Sequence, residues 1–170
     1  YEGSEDVLGE ALKGGYRQRA VLATKSPIWN IRSSGDFEKY LDEQLKRLGT
    51  DCIDVYLVHN LDVENWKRVQ KYGGMDFLNA MIAKGKIRYK GFSIHNTLRA
   101  FMEIVDAFGW DMAQIQLNIV DETHQAGVAG LRYAAQRGLA VAVMEPLRGG
   151  SLLEHAPPAA RALTEGFAQK

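Results

Sequence analysis

The sequence predicts an α/β fold of parallel strands joined by helices, and it favours part of a (β/α)8 barrel. Short apolar runs alternate with amphipathic helical segments along the 170 residues, which indicates parallel strands connected by crossovers. Tyr1, Lys25 and His59 stand at successive strand ends or at the start of βα loops, and a barrel would gather them at one rim. No GxGxxG follows any predicted strand, which weighs against a doubly wound dinucleotide-binding sheet.

Start and stop signals mark the helices in the first half of the chain. Ser4 can cap the first helix, whose first turn is acidic, and the Gly14–Gly15 pair ends it. Ser34 or Asp36 opens the second helix, whose apolar residues form one stripe. Apolar runs before and after it predict buried strands. The first half is therefore predicted as a helix over 5–15, a strand over 20–24, a helix over 37–49, a strand over 52–58 and two short helices over 65–72 and 75–85.

The second half repeats the same alternation. Thr97 begins a helix that Gly109 closes, and Gly138 ends the following one. Three apolar runs between these helices predict further strands. The predicted elements are a strand over 87–93, a helix over 98–109, a strand over 112–118, a helix over 125–138, a strand over 139–144 and a final helix introduced by Pro157 and Pro158.

The composition excludes several classes of protein. Hydrophobic residues make up 46% of the chain and charged residues 25%, which is typical of a globular domain. Lys+Arg and Asp+Glu both number 21, so the balance of charge offers no support for nucleic acid or an acidic membrane as partner. The single Cys52 cannot form an internal disulfide or a cysteine-rich metal site, and no His pairs with a carboxylate cluster at metal-ligand spacing. We therefore expect no metal site and a cytoplasmic location.

Five motifs, in order, resemble those of the aldo-keto reductase family and cover nearly the whole chain. They are Tyr1 with GSEDVLGEAL, ATK at 23–25, YLDEQLKRLGTDCIDVYLVHN at 40–60, LNAMIAKGKIRYKGFS at 78–93 and MEPLRGG at 144–150. The last motif, together with NIVDETHQAGVAGLRYAAQRG at 118–138, is similar to a bacterial and archaeal branch of predicted oxidoreductases. Longer members of that branch carry a ferredoxin-like C-terminal extension. Each motif alone has low specificity, whereas five in the family's order are specific.

The resemblance implies a (β/α)8 TIM barrel that this chain covers only in part. Residues 1–170 would form a partial barrel domain of about strands three to seven with their flanking helices. The family's active-site Asp, five residues before the Tyr, would precede Tyr1, and the eighth strand and the contacts to the adenosine 2′-phosphate would follow the chain. We therefore expect a longer polypeptide, and we expect residues 1–170 alone to be inactive and unable to fold independently.

A phenol, an ammonium and an imidazole together are the parts of a proton-donating site. A phenol has a pKa near 10, and a neighbouring ammonium favours the phenolate and lowers that pKa toward the neutral range where acid catalysis works best. The resemblance implies that Tyr1 is the proton donor, that Lys25 tunes its pKa and that His59 orients the substrate carbonyl. Trp29, in the loop after Lys25, either walls a substrate pocket with His59 or shields the loop from water.

The resemblance also implies a binding site for NADP(H). Ser93 would bind the nicotinamide carboxamide, but Ile94 stands where the family has an Asn. Recognition of the carboxamide would then rest on Ser93 with Gln114, or Asn96 would substitute, while helix capping is the alternative role of Ser93. Gln116 and Asn118 follow Gln114 at intervals of two, so we expect the same strand face for all three.

The segment from Met144 to Gly150 would complete the cofactor site. Met144 stands where many family members have a Tyr that stacks on the nicotinamide ring, and a thioether can also contact an aromatic face. The following residues would contact the pyrophosphate, because glycine allows a close approach of backbone N–H groups and arginine adds charge. These residues are Pro146, Leu147, Arg148, Gly149 and Gly150. A core methionine and a plain turn are the alternatives.

The function predicted from the resemblance is NAD(P)H-dependent reduction of an aldehyde or ketone to an alcohol. A small carbonyl compound would be the substrate, and its identity and the oligomeric state are left open. Ile94 and Met144 motivate an alternative, an NADP-binding regulatory or redox-sensing barrel with little turnover. The iron–sulfur extension of the longer branch members has no support in this sequence, because Cys52 precedes a core strand.

Overall fold

The computed structural model describes residues 3–155 together with Pro157 and Pro158. That part of the chain alternates between strands and helices in the predicted order. The strands are β1 (Ala23–Ser26), β2 (Ile53–Leu61), β3 (Ile87–Ile94), β4 (Met112–Gln116) and β5 (Ala140–Met144). The helices are α1 (Ser4–Ala11), α2 (Ser34–Leu48), α3 (Val63–Lys71), α4 (Gly74–Ala83), α5 (Leu98–Ala107), α6 (Gly127–Gln136) and α7 (Ser151–Glu154).

The five strands form one parallel sheet in the order β1-β2-β3-β4-β5, so neighbours in sequence are neighbours in space. A doubly wound sheet reverses its strand order at a switch point, whereas a barrel adds each strand beside the last. The observed order has no reversal. This confirms an α/β fold of the singly wound type that the sequence favoured.

The two faces of the sheet have different surroundings. Tyr56, Phe92 and Ile115 point toward the helices and are fully buried in the main hydrophobic core. We call this the helix face of the sheet. The alternate residues form the inner face, because successive side chains of a strand point to opposite sides. The inner face carries Lys25, Leu57, His59, Tyr89, Gly91, Ser93, Met112, Gln114, Gln116, Ala142 and Met144.

The inner face is only partly covered by the described residues. Leu57 is buried, but Tyr89, closer to the amino-terminal ends of the strands, is 55% exposed. The strands β1 and β5 each pair on one side only within the described sheet. An arc of five strands with helices on the outer side and a half-open inner face is the architecture of an incomplete barrel.

Gly91 sets how closely the strands approach at the centre of the inner face. A Cβ atom there would lie 2.5 Å from the carbonyl oxygen of Met112 and 2.6 Å from Cδ2 of Leu57. Such contacts are far inside van der Waals distance, so only glycine fits without moving β3 away from β4. The spacing between these strands matters for the site, because Ser93 and Gln114 lie on them.

The bounds of three strands differ from the prediction by two residues or more, and helix α1 ends at Ala11 rather than at residue 15. Strand β1 covers 23–26 rather than 20–24, because a 3₁₀ turn occupies Arg17–Arg19 and the Leu22 N–H donates to a side chain, Asp54. Strand β2 continues to Leu61, so His59 lies within the strand and not after it. Strand β4 ends at Gln116, two residues early. The predicted helix after Pro157 and Pro158 lies outside the described residues. Among the helices that the structure describes, none has the length and apolar character to cross a membrane.

Candidate active site

Lys25 and His59 lie on adjacent strands and share the inner face. Lys25 pairs with Leu57 across β1 and β2, and His59 follows Leu57 by two residues, so all three side chains point to the same side. Both polar residues line a cavity of about 340 Å³, and Trp29 lines it as well. The structure therefore brings together two of the three residues predicted to act in catalysis, and the predicted substrate-pocket residue.

Lys25 is a half-buried ammonium on this surface. Burial lowers the pKa of its side chain, because desolvation penalises the charged form. Within residues 3–155 no carboxylate forms an ion pair with it. Its positive charge is thus available to a neighbouring group, which is the property required of a residue that lowers the pKa of a phenol.

The environment of His59 favours a neutral imidazole. Burial first, and the positive charge of Lys25 second, lower the pKa of His59 to about 4. The indole of Trp29 lies against the ring, with centroids 4.9 Å apart and planes tilted by 55°. At neutral pH the imidazole therefore carries one N–H donor and one acceptor nitrogen, and it suits a hydrogen-bonding role better than that of an acid.

We expect the side chain of His59 to titrate well below the usual range of histidine. In the full-length polypeptide, the ring C–H resonance of His59 should show a midpoint near pH 4 by NMR, against an ordinary value of 6.5. Comparison with the His59→Gln variant assigns the resonance. A midpoint above 6 would show that the imidazole is solvated or paired with an anion, and would contradict a neutral hydrogen-bonding role at the pH of catalysis.

Ser93 and Gln114 are direct neighbours across β3 and β4 on the inner face. The Ser93 hydroxyl is buried and accepts a hydrogen bond of 2.8 Å from the Asn60 N–H, which leaves its own proton to donate. The Oε1 of Gln114 is buried and has no hydrogen-bond partner in the described part of the chain. A hydroxyl donor beside an unsatisfied amide acceptor matches the two halves of a carboxamide, so these residues fit a nicotinamide.

The end of β4 differs from the expectation. Asn118 lies in the loop, where its Nδ2 donates to Asp121 at 2.8 Å and its Oδ1 accepts from the Val120 and Asp121 N–H groups. The prediction that Asn118 shares the strand face of Gln114 was therefore wrong, because its side chain instead forms hydrogen bonds within this loop. Gln116 remains on the inner face, is 3% exposed and keeps a buried Oε1 without a partner among the described residues. Asn96 is also used locally, since its side chain accepts from the Thr97 N–H.

The segment after β5 contacts the β4–α6 loop through one ion pair. Met144 pairs with Gln116 across the two strands, and Arg148 forms an ion pair with Asp121. The arginine also has a left-handed backbone, with φ of 47°. Asp121 is a residue that the sequence analysis missed, since no motif or strand-end position distinguishes it. The amides of Arg148 and Gly150 donate within the segment, to Glu145 and Leu147, so both already have partners there. Pro146, Leu147 and Gly149 are exposed.

Two further predictions concern the proton donor Tyr1 and the absence of a metal site. Tyr1 lies outside them, so its role as proton donor stays a prediction. Among residues 3–155 and the two following prolines, no three His, Cys, Asp or Glu side chains gather as a metal site would require.

Comparisons with known proteins bear on both the fold and the chemistry. The family model described as the Aldo/keto reductase family matches residues 1–165. Aldo-keto reductase yakc of Schizosaccharomyces pombe, whose name specifies NADP(+), is 29% identical in an alignment of 161 residues, and the match covers 88% of this chain and 46% of that protein. The chain thus spans about half the length of this curated relative.

Solved structures of aldo-keto reductases share the fold. The holo form of aldo-keto reductase AKR11C1 from Bacillus halodurans is 26% identical with a TM-score of 0.73, and the match covers 91% of this chain and 50% of that one. An aldo/keto reductase from Brucella melitensis is 22% identical with a TM-score of 0.73, and covers 98% and 61%. These proteins are (β/α)8 barrels, so the five-stranded sheet described above corresponds to part of such a barrel.

Proposed function

The chain belongs to the aldo/keto reductase family, and from this premise we propose that it reduces an aldehyde or ketone to an alcohol with NADP(H) as cofactor. One observation carries the proposal. Lys25 and His59, from adjacent strands, line the same cavity on the inner face, and Trp29 forms part of its wall. That pair of polar groups is what a carbonyl-reducing site needs beside a proton donor.

Tyr1 is proposed as the proton donor. The phenol would transfer its proton to the substrate oxygen as the carbonyl is reduced, which requires a pKa below its ordinary value near 10. Lys25 provides the positive charge for that shift, because its ammonium is half-buried and unpaired within the described residues. The predicted Asp upstream of Tyr1 would hold the ammonium in place.

His59 is proposed to orient the carbonyl. A neutral imidazole can donate one hydrogen bond to the substrate oxygen, and the low pKa of His59 keeps it neutral across the physiological range. Trp29 packs beside it and offers a flat apolar surface of the same cavity. Together they would position a small carbonyl compound whose polar end meets His59.

The cofactor supplies the hydride when it is bound. Ser93 and Gln114 are proposed to hold its carboxamide, since one has a proton to donate and the other a buried acceptor without a partner in residues 3–155. Met144 would pack beside the nicotinamide ring from β5. Pro146, Leu147, Arg148, Gly149 and Gly150 would meet the phosphates, and the ion pair with Asp121 would hold the arginine near the inner face until then.

The MEPLRGG run at 144–150 supports placement in the bacterial and archaeal branch named above. We further propose that residues 1–170 are a partial barrel domain of a longer cytoplasmic protein. The coverage of 46% of the yeast relative and 50% of the Bacillus structure supports this, since the same family barrel needs about twice the length.

The proposed reaction is tested on the full-length polypeptide with a panel of aldehydes and ketones. Consumption of NADPH, followed by its absorbance, should depend on the carbonyl and yield the alcohol in equal amount. Tight binding of NADPH without consumption across the panel would instead favour the regulatory barrel. No binding and no consumption would reject both.

A further inference from the structure

The carboxylate of Glu5 connects helix α1 to strand β1 and helix α2 through hydrogen bonds. Its Oε1 accepts hydrogen bonds of 2.7 Å from the Thr24 hydroxyl and from Nε2 of Gln44. Its Oε2 accepts two more from Arg47, from Nε at 2.8 Å and from Nη2 at 2.6 Å. Four short bonds, two of them from a guanidinium fork, make this a charge-assisted contact with a defined geometry. The carboxylate is 17% exposed, so water does little to replace them.

Gln44 extends the contact to both strands of the candidate site. Its Nε2 also donates to the main-chain carbonyl of Lys25 at 2.9 Å, and its Oε1 accepts from the hydroxyl of Tyr56 at 2.8 Å. Gln44 is 4% exposed and Tyr56 is fully buried. Lys25 lies on β1, and Tyr56 lies on β2 three residues before His59. One buried amide therefore joins the strands that carry both residues.

Gly9 brings the same helix into direct backbone contact with α2. A Cβ atom at this position would clash with the carbonyl oxygen of Arg47, and with Leu48 at 3.1 Å. Gly9 lies one turn after Glu5, so both residues face α2. The close approach and the charge-assisted bonds thus act on the same side of α1 and together determine its position relative to β1.

This arrangement has a functional meaning, because Gln44 binds the main chain of Lys25 and the side chain of Tyr56, which lies on the strand of His59. We propose that Glu5 is a positioning residue, which through Gln44 and Arg47 sets the placement of the Lys25 ammonium relative to the His59 ring, as the proposed proton donor Tyr1 requires. This inference rests on the proposed function, in which those three groups act together.

A general structural role would not predict the same effects. Loss of a stabilising contact lowers the midpoint of thermal unfolding and leaves the properties of the folded enzyme unchanged. Displacement of the Lys25 ammonium instead weakens the charge interaction proposed to lower the pKa of the proton donor, so the pH dependence of turnover must change. Small displacements at a reacting centre also cost rate rather than substrate affinity.

The test compares Glu5→Gln with Glu10→Gln in the full-length polypeptide. The first replaces the carboxylate with an amide that cannot pair with Arg47, and the second alters an exposed residue of the same helix whose only described partner is Lys13. We expect Glu5→Gln to lower kcat about tenfold or more, to move the basic limb of the kcat profile to higher pH, and to leave the Kd for NADPH within twofold. Glu10→Gln should match the wild type in all three.

A second variant keeps the test decisive if Glu5→Gln fails to fold. Arg47→Met removes the guanidinium fork from a residue that is 38% exposed, and it should shift the pH profile in the same direction by a smaller amount. Unchanged kcat and pH profile in folded Glu5→Gln or Arg47→Met would overturn the positioning role. If Tyr1→Phe and Lys25→Met also retained full turnover, the proposed function itself would be wrong, so the two failures are distinguishable.

Discussion

Replacing Lys25 by Met in the full-length polypeptide should lower kcat on the order of 10³-fold, the range of general acid catalysis. The side chain keeps its length and apolar stem, but the charge proposed to lower the pKa of the phenol is lost. Tyr1→Phe should cause a loss of similar size, because it removes the proposed proton donor. The double variant should be no worse than the single ones, since the two groups would act as a unit. Steady-state kinetics on a carbonyl found in the panel measures all three.

The control for this prediction is Lys13→Met, which neutralises an exposed lysine that pairs with Glu10 on the surface. Its kcat should equal that of the wild type. The affinity for NADPH, measured by titration, should be unchanged in the Lys25 and Tyr1 variants, because neither residue is assigned to the cofactor. A Lys25→Met enzyme with more than half of the wild-type kcat would remove the basis of the proposed proton donor.

Replacing Asp54 by Asn should destabilise the protein by about 3–5 kcal/mol, the usual cost of breaking a buried ion pair. The carboxylate is 6% exposed and pairs with Arg17 at 2.8 Å and Arg88 at 2.9 Å. It also accepts a hydrogen bond from the Leu22 N–H. Removal of its charge leaves the guanidinium of Arg17, whose side chain is 19% exposed, without an anionic partner. Urea unfolding of the full-length polypeptide measures the effect, and Asp51→Asn, at an exposed neighbouring position, should change it little.

The same ion pair predicts how this stability difference depends on pH. Burial alone would raise the pKa of Asp54, but the hydrogen bond from Leu22 and the pairing with Arg17 outweigh it and hold the pKa below its ordinary value. The carboxylate therefore contributes its full stabilisation above the ordinary value near 3.9 and loses it as the pH falls through the lower folded-state value. The difference in free energy of unfolding between the wild type and Asp54→Asn should therefore decrease below about pH 4. A difference that stays constant to pH 2 would show that the charge of Asp54 is not what stabilises the fold.

The apolar runs of the sequence were sufficient to predict the five strands and the helices between them, whereas the preference for a barrel came from the strand-end residues and the absence of a GxGxxG motif. This succeeded because the strands of parallel sheets read as near-continuous apolar stretches, such as 55–58 within β2. Boundaries were less predictable. Strand β1 begins late because the Leu22 N–H bonds to Asp54, a contact between residues 32 positions apart that no local pattern encodes.

In the candidate site, too, some features could be predicted from the sequence and others could not. Lys25 and His59 could be placed at one end of the sheet because parallel strands end on the same side, and Ser93 and Gln114 were assigned by the family resemblance. The hydrogen bonds of Glu5 and the pairing of Arg148 with Asp121 could not be predicted, because they join segments that approach only after the sheet has formed. Polar side chains in loops and on helices have no periodicity that distinguishes a solvated residue from one that bonds across the fold.

The alternation of the two sheet faces, which β2 keeps as far as His59, has a consequence for how this domain can vary. Insertion of a single residue within β2 would exchange its faces, so that His59 would enter the helix layer and Val58 would enter the cavity. We therefore expect changes of chain length among related proteins in the connecting loops, while the part of β2 that leads to the imidazole keeps its number of residues.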